Sequence, residues 1–111
     1  MVITPEIVKA AYAYLAETPP FINWHMPDAD DVKFALCGGG KHYGRCTYST
    51  PYIVEISKVY HTHSATLLKT VAHEMVHVHM NEAKMGIGHG KVFKALAKEV
   101  CDLHGFDIGH F

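Results

Sequence analysis

His73-Glu74-Met75-Val76-His77 has the residue types and the spacing for metal chemistry. The segment has the form H-E-x-x-H and lies inside a helical pattern. Residues four apart share a helix face one turn from each other. Two imidazoles so placed can converge on one zinc ion, with bonds of about 2.0–2.1 Å. Glu74, one step along from His73, projects beside the metal rather than onto it, where it can take a proton from water. A catalytic zinc needs a third protein ligand and an open position. Gly88-His89-Gly90 begins eleven residues after His77 and offers one, because the chain can leave the helix, turn at Gly86 and return. The flanking glycines would let the backbone approach a crowded site. Glu99 is a second candidate for this ligand. Glu82 is on the metal helix itself, more than a turn past His77, and is poorly placed to reach back. The metzincin pattern would need Gly and His where Met80 and Ala83 stand.

Histidine makes up 10 of the 111 residues, as many as Lys and Arg together. That invites either a metal site or a metal-free pH sensor built from clustered imidazoles. His79 is two residues past His77 and so points to nearly the opposite helix face. His61 and His63 precede the helix, where they could line a cleft and contact substrate. Tyr48, Tyr52 and Tyr60 could donate to a developing oxyanion, with packing on a sheet as the simpler role. His25, His42, His104 and His110 have no evident partner. Cys37, Cys46 and Cys101 are odd in number and widely spaced, which argues against a disulfide framework and for a reducing, cytoplasmic setting. Cys37 and Cys46 flank His42, so a small zinc loop is conceivable, but it lacks the CxxC pairs of structural zinc sites.

The elements that must hold these residues follow from patterning. A chain of 111 residues makes one domain, residues 1–111, and can bury roughly two-thirds of its unfolded surface. Hydrophobic residues at 49% and charged residues at 19% exclude disorder. The net charge of -1 provides no field that would select nucleic acid or an anionic membrane. The sequence has no signal peptide and no apolar run long enough to span a bilayer. Thr4-Pro5 starts a helix whose apolar face carries Ile7, Ala11 and Leu15, with Val8 and Tyr12 beside them, and Thr18-Pro19-Pro20 ends it. Residues 21–31 read as an exposed loop. Val32, Phe34 and Leu36 alternate with Lys33 and Ala35 as a first strand, and residues 45–49 and 52–60 suggest two more. Their short connections imply a small antiparallel sheet. From Ser64 the period becomes helical through Leu67, Leu68, Val71, Ala72, Met75 and Val76 to about Lys84. A last helix runs from about Lys91 to Leu103. Its apolar face carries Val92, Phe93, Leu96, Ala97, Val100 and Leu103, and Gly105 terminates it. Lys91, Lys94 and Lys98 mark its solvated side. The order is helix, three strands, helix, helix, which is an α+β domain.

These residues resemble the SprT-like zinc metalloprotease family, which includes Spartan and bacterial SprT proteins. The resemblance rests on His73-Glu74-Met75-Val76-His77, Gly88-His89-Gly90 and Phe93, and upstream on Gly44-Arg45-Cys46 and Glu55-Ile56-Ser57. It implies a zincin-like fold, zinc held by His73, His77 and His89, and Glu74 as the catalytic acid/base. It also implies protein or peptide substrates, extending to DNA-associated proteins. Without a paired-cysteine ribbon or a basic tail, the chain reads as a minimal stand-alone core. The function expected is zinc-dependent peptide hydrolysis. The alternative is a non-catalytic, zinc-stabilised module that binds protein or nucleic acid, with His63 or His104 as a fourth ligand.

Overall fold

The computed structural model describes residues 2–38, 44–48, 51–58 and 63–111. Helix α1 spans Pro5–Ala16, and its start follows the predicted cap: the Thr4 side chain accepts from the Ile7 N–H at 3.2 Å, ahead of Pro5. Its buried stripe is Val8, Ala11, Tyr12 and Leu15, while Ile7 is only half-buried. The buried face is the predicted one, with Ile7 packed at its margin. Residues 21–31 are not a simple exposed loop. They form two 3-10 turns, Phe21–Asn23 and Ala29–Asp31, and Phe21 is fully buried in the core. The Tyr12 hydroxyl ties this stretch to α1 by donating to the Pro27 carbonyl at 2.6 Å.

Strands β1 (Val32–Cys37), β2 (Gly44–Thr47) and β3 (Tyr52–Ser57) form one sheet in the order β1-β3-β2. The sheet is mixed, which corrects the antiparallel expectation. β3 pairs antiparallel with β2 (Cys46 opposite Val54) but parallel with β1 (Phe34 opposite Val54). The expectation assumed that a parallel pair needs one long crossover. Here β2 itself is the return path, so β3 can lie between two strands that precede it in the chain. Among the described residues β1 and β2 are the edges. The outer parts of the predicted strands, at residues 49 and 59–60, lie outside the described residues.

Helix α2 spans Ser64–Glu82 and touches α1, β2, β3 and α3. Being covered on several sides, it is buried nearly all round rather than along one stripe: Leu67, Val71, Ala72, Met75, Val76, Val78 and Met80 are all in the interior. Helix α3 spans Lys91–His104 and buries Phe93, Ala97, Val100 and Cys101. Val92 and Leu103, assigned to its apolar face, are instead 43% and 55% exposed. Gly105 ends the helix in the left-handed conformation at φ +78°, as its position predicts. The chain then turns through Ile108–His110 and brings Phe111 back against Phe93.

Candidate metal centre

The helical period of α2 sorts its functional side chains by direction. At about 100° per residue, His73 and His77 point one way and Glu74 and Thr70 the neighbouring way. His79, about 200° from His77, points the opposite way. The contacts agree. His73 and His77 face Phe93 of α3, Thr70 and Glu74 face Gly44 of β2, and the His79 ring stacks on Trp24 with centroids 4.2 Å apart.

The third histidine arrives from the loop between α2 and α3. Gly86 and Gly88 take φ of +93° and +92° there, a region that side chains disfavour. A Cβ on Gly88 or Gly90 would meet nothing within 4 Å. Backbone direction, not the crowding expected from the sequence, is therefore what glycine supplies at Gly88. The loop sets His89 against the α2 pair. The three Nε2 atoms form a nearly equilateral triangle with sides of 3.2 Å (His73–His77), 3.1 Å (His73–His89) and 3.0 Å (His77–His89).

Protonation can be assigned at one corner. The His73 Nδ1 lies 2.8 Å from the Phe111 carbonyl oxygen. A carbonyl only accepts, so Nδ1 carries the proton and Nε2 turns a bare lone pair inward. Burial pushes both His73 and His77 down to about 4, with the neighbouring imidazoles adding to the shift, so both rings are neutral near pH 7. The His77 Nδ1 is buried and has no hydrogen-bond partner among the described residues. One Phe93 ring braces all three imidazoles, with centroids 4.9, 4.8 and 4.7 Å from His73, His77 and His89.

These residues fit a metal ion. Tetrahedral bonds of about 2.0–2.1 Å would separate three nitrogen ligands by roughly 3.3 Å, close to the observed triangle. Converging lone pairs repel one another unless a cation or proton lies between them. Among the described residues, His73, His77 and His89 are the group of His, Cys, Asp and Glu side chains able to hold a metal. Glu99 is exposed and influences His79 on the far side of α2, so it does not join them. The Glu82 carboxylate instead accepts from the Tyr52 hydroxyl at 2.8 Å, and Asn81 donates to that same hydroxyl at 2.7 Å. Tyr52 is thereby committed to holding β3 against the end of α2.

Glu74 is 4% exposed, and burial pushes its carboxyl up to about 7. A Cβ on Gly44 would stand 3.2 Å from Glu74 Oε2 and 2.9 Å from Thr70 Cγ2. Glycine thus lets the β2 backbone lie directly against the carboxylate side of α2. Cys46 and Tyr48 share that side. Burial pushes each up to about 12, with the Glu74 charge contributing to both.

The other histidines lie elsewhere. His63 is exposed at the start of α2, ten residues and about 15 Å of helix from His73. His104 meets the Thr18 hydroxyl at 3.0 Å and stacks on Phe106. His25 is exposed at φ +54°, and His110 lies 3.7 Å from Asp107. His42, His61 and Tyr60 are outside the described residues, and with His42 so is the test of the small zinc loop. Two parts of the centre were not identified from sequence as working parts. Phe93 was read as an apolar residue of α3 and as part of the family resemblance, with no role at the histidines, although its place four residues after His89 hints at contact. No local signal announces the Phe111 carbonyl.

A sequence model of the SprT-like family matches residues 23–109, most of the chain. No curated protein and no solved structure is significantly similar to it. The match takes in every residue of the histidine triangle, Glu74 and β2. The chain belongs to the SprT-like family.

Proposed function

We propose that this SprT-like chain is a zinc-dependent peptidase of zincin-like architecture, in which His73, His77 and His89 hold the metal and Glu74 is the acid/base. The observation that carries the reading is the triangle of Nε2 atoms at 3.0–3.2 Å, with a buried carboxylate on the adjoining face of the same helix. Zinc bound there would polarise a scissile carbonyl and make water a nucleophile near neutral pH. Glu74 takes the proton of the attacking water and delivers it to the leaving amine. Its buried carboxyl, lifted towards neutrality, suits both transfers. The Phe111 carbonyl fixes the His73 tautomer, and Phe93 fixes the three ring planes. β2 is the sheet edge on the Glu74 side, where an extended substrate could add as a further strand. Of the two described candidates, Tyr48, half-buried and within the influence of Glu74, is better placed than Tyr52 to donate to a developing oxyanion.

The substrates on this reading are proteins or peptides. Family membership suggests DNA-associated proteins among them, while direct DNA contact finds no support in the net charge of -1. No helix among the described residues is long and apolar enough to cross a membrane. Cytoplasmic action rests on the three free cysteines. A purely structural zinc module would need a fourth protein ligand, and neither His63 nor His104 is near the triangle.

The test is Glu74→Gln. It should retain one zinc per chain and lose casein hydrolysis by about 10²–10⁴-fold. Hydrolysis at the wild-type rate would remove Glu74 from its role, and a wild-type protein that binds no zinc would sink the whole reading.

A further inference from the structure

A cavity of about 780 Å³ opens between α3 and the Ile108–His110 turn, and His73 and His89 form part of its wall. Apolar side chains form a large part of the rest. Phe93 and Ala97, 6% and 1% exposed, line it from α3, and Phe111 and Ile108 line it from the returning chain. Ile108 is 54% exposed at the mouth. Lys94, Lys98, Asp102 and His110 also line the cavity. Lys98 is paired with Asp102 at 2.6 Å, whereas Lys94 has no ion-pair partner among the described residues.

The order of faces around α2 gives this cavity its meaning. Passing around the helix, β2 and Glu74 come first, then His77 and His73, then Phe93 of α3. A peptide that crosses the histidines away from the β2 side reaches the cavity, since His73 and His89 are part of its wall. A side chain at that point meets the aromatic and aliphatic surface of Phe93, Ala97, Ile108 and Phe111, with Lys94 and the Lys98–Asp102 pair beside it.

We propose that the cavity bounded by α3 and the 108–111 segment is the specificity pocket of this enzyme, taking one large apolar substrate side chain and disfavouring Lys and Arg. The assignment rests on the peptidase reading for its role but makes a binding claim of its own. Burying a Phe side chain from water gives roughly ten- to hundredfold in affinity, and a lysine there must either desolvate its ammonium or face Lys94.

The test uses the full chain carrying Glu74→Gln and loaded with zinc. Two fluorescent Gly/Ser decapeptides are compared by anisotropy, one with a single Phe and one with Lys in its place. The Phe peptide should bind at least about tenfold tighter. Adding Ile108→Glu at the exposed mouth should bring that ratio to one or below. Adding Lys94→Glu should narrow it by strengthening the Lys peptide. Circular dichroism confirms that both surface variants fold. Equal binding of the two peptides by the parent protein, or a ratio that Ile108→Glu leaves unchanged, overturns the pocket. The peptidase reading is judged separately by the zinc-loaded wild type on casein. Hydrolysis with no peptide preference refutes the pocket alone, and preference without hydrolysis refutes the peptidase alone.

Discussion

Replacing Phe93 by leucine separates two roles that one ring performs. The ring is 6% exposed and packs on His73, His77 and His89 at centroid distances of 4.7–4.9 Å, lying within 20° of the His77 plane. Phe93→Ala removes both its volume and its flat face. The expected loss of stability is about 3 kcal/mol, the lower end for a buried phenylalanine, because the adjoining cavity lets water enter the gap. Phe93→Leu keeps most of the volume and should cost less than about 1.5 kcal/mol. Neither substitution touches a ligand atom. Yet the imidazole planes are set by contact with the ring, and among the described residues nothing hydrogen-bonds His77 Nδ1 to hold it otherwise. Both variants should therefore weaken zinc binding by about 10- to 100-fold, the usual range for a residue that orients ligands. Urea unfolding in the presence of chelator reads stability, and competition with a chromophoric chelator reads zinc affinity. Zinc affinity of Phe93→Leu within about twofold of wild type would refute the reasoning, since the ring would then be core and nothing more.

The remaining predictions concern the ligand set, the carboxylate side and the core. His89→Ala should abolish stoichiometric zinc binding while exposed Glu99→Ala leaves it intact, as metal analysis of the purified proteins will read, and the reverse order would move the third ligand to α3. Gly44→Ala would place a Cβ 2.9 Å from Thr70 Cγ2 and 3.2 Å from both the Glu55 carbonyl and Glu74 Oε2. It should cost about 1–3 kcal/mol by overpacking and should lower the rate of hydrolysis more than the zinc content. Tyr12→Phe deletes the donor to the Pro27 carbonyl in a fully buried site and should lower unfolding free energy by about 1–2 kcal/mol in urea, with zinc affinity unchanged.

Local signals in the sequence located the helices and the paired histidines because each depends on residues a few positions apart. Thr4, Pro5 and Gly105 act where their own chemistry puts them, and the i,i+4 spacing of His73 and His77 needs only a helix. What failed depended on partners distant in the chain. Periodicity marks an apolar face, but Val92 and Leu103 stay exposed because no described element packs over their side of α3. Phe21 was assigned to a loop because its neighbours are turn formers, and its burial is decided by the core around α1. The orienting bond from His73 reaches Phe111, 38 residues away, through a backbone carbonyl that every residue type possesses. No residue identity could have signalled it.

The sheet departs furthest from expectation in being mixed rather than antiparallel, and the consequence falls on the site. In a simple meander the strands would follow as β1-β2-β3, with β2 in the middle and its backbone groups paired on both sides. The observed order places β3 in the middle and β2 at the edge, beside α2. Gly44 then begins a strand with one side paired to β3 and the other unpaired within the sheet, next to the Glu74 carboxylate. A strand that needed pairing on both sides could not receive a substrate there. On the peptidase reading, the mixed topology would supply what the reaction needs beside Glu74: a row of backbone donors and acceptors, unfilled among the described residues, held against α2. The same placement explains why glycine stands at position 44, since a side chain there would lift that row away from Glu74.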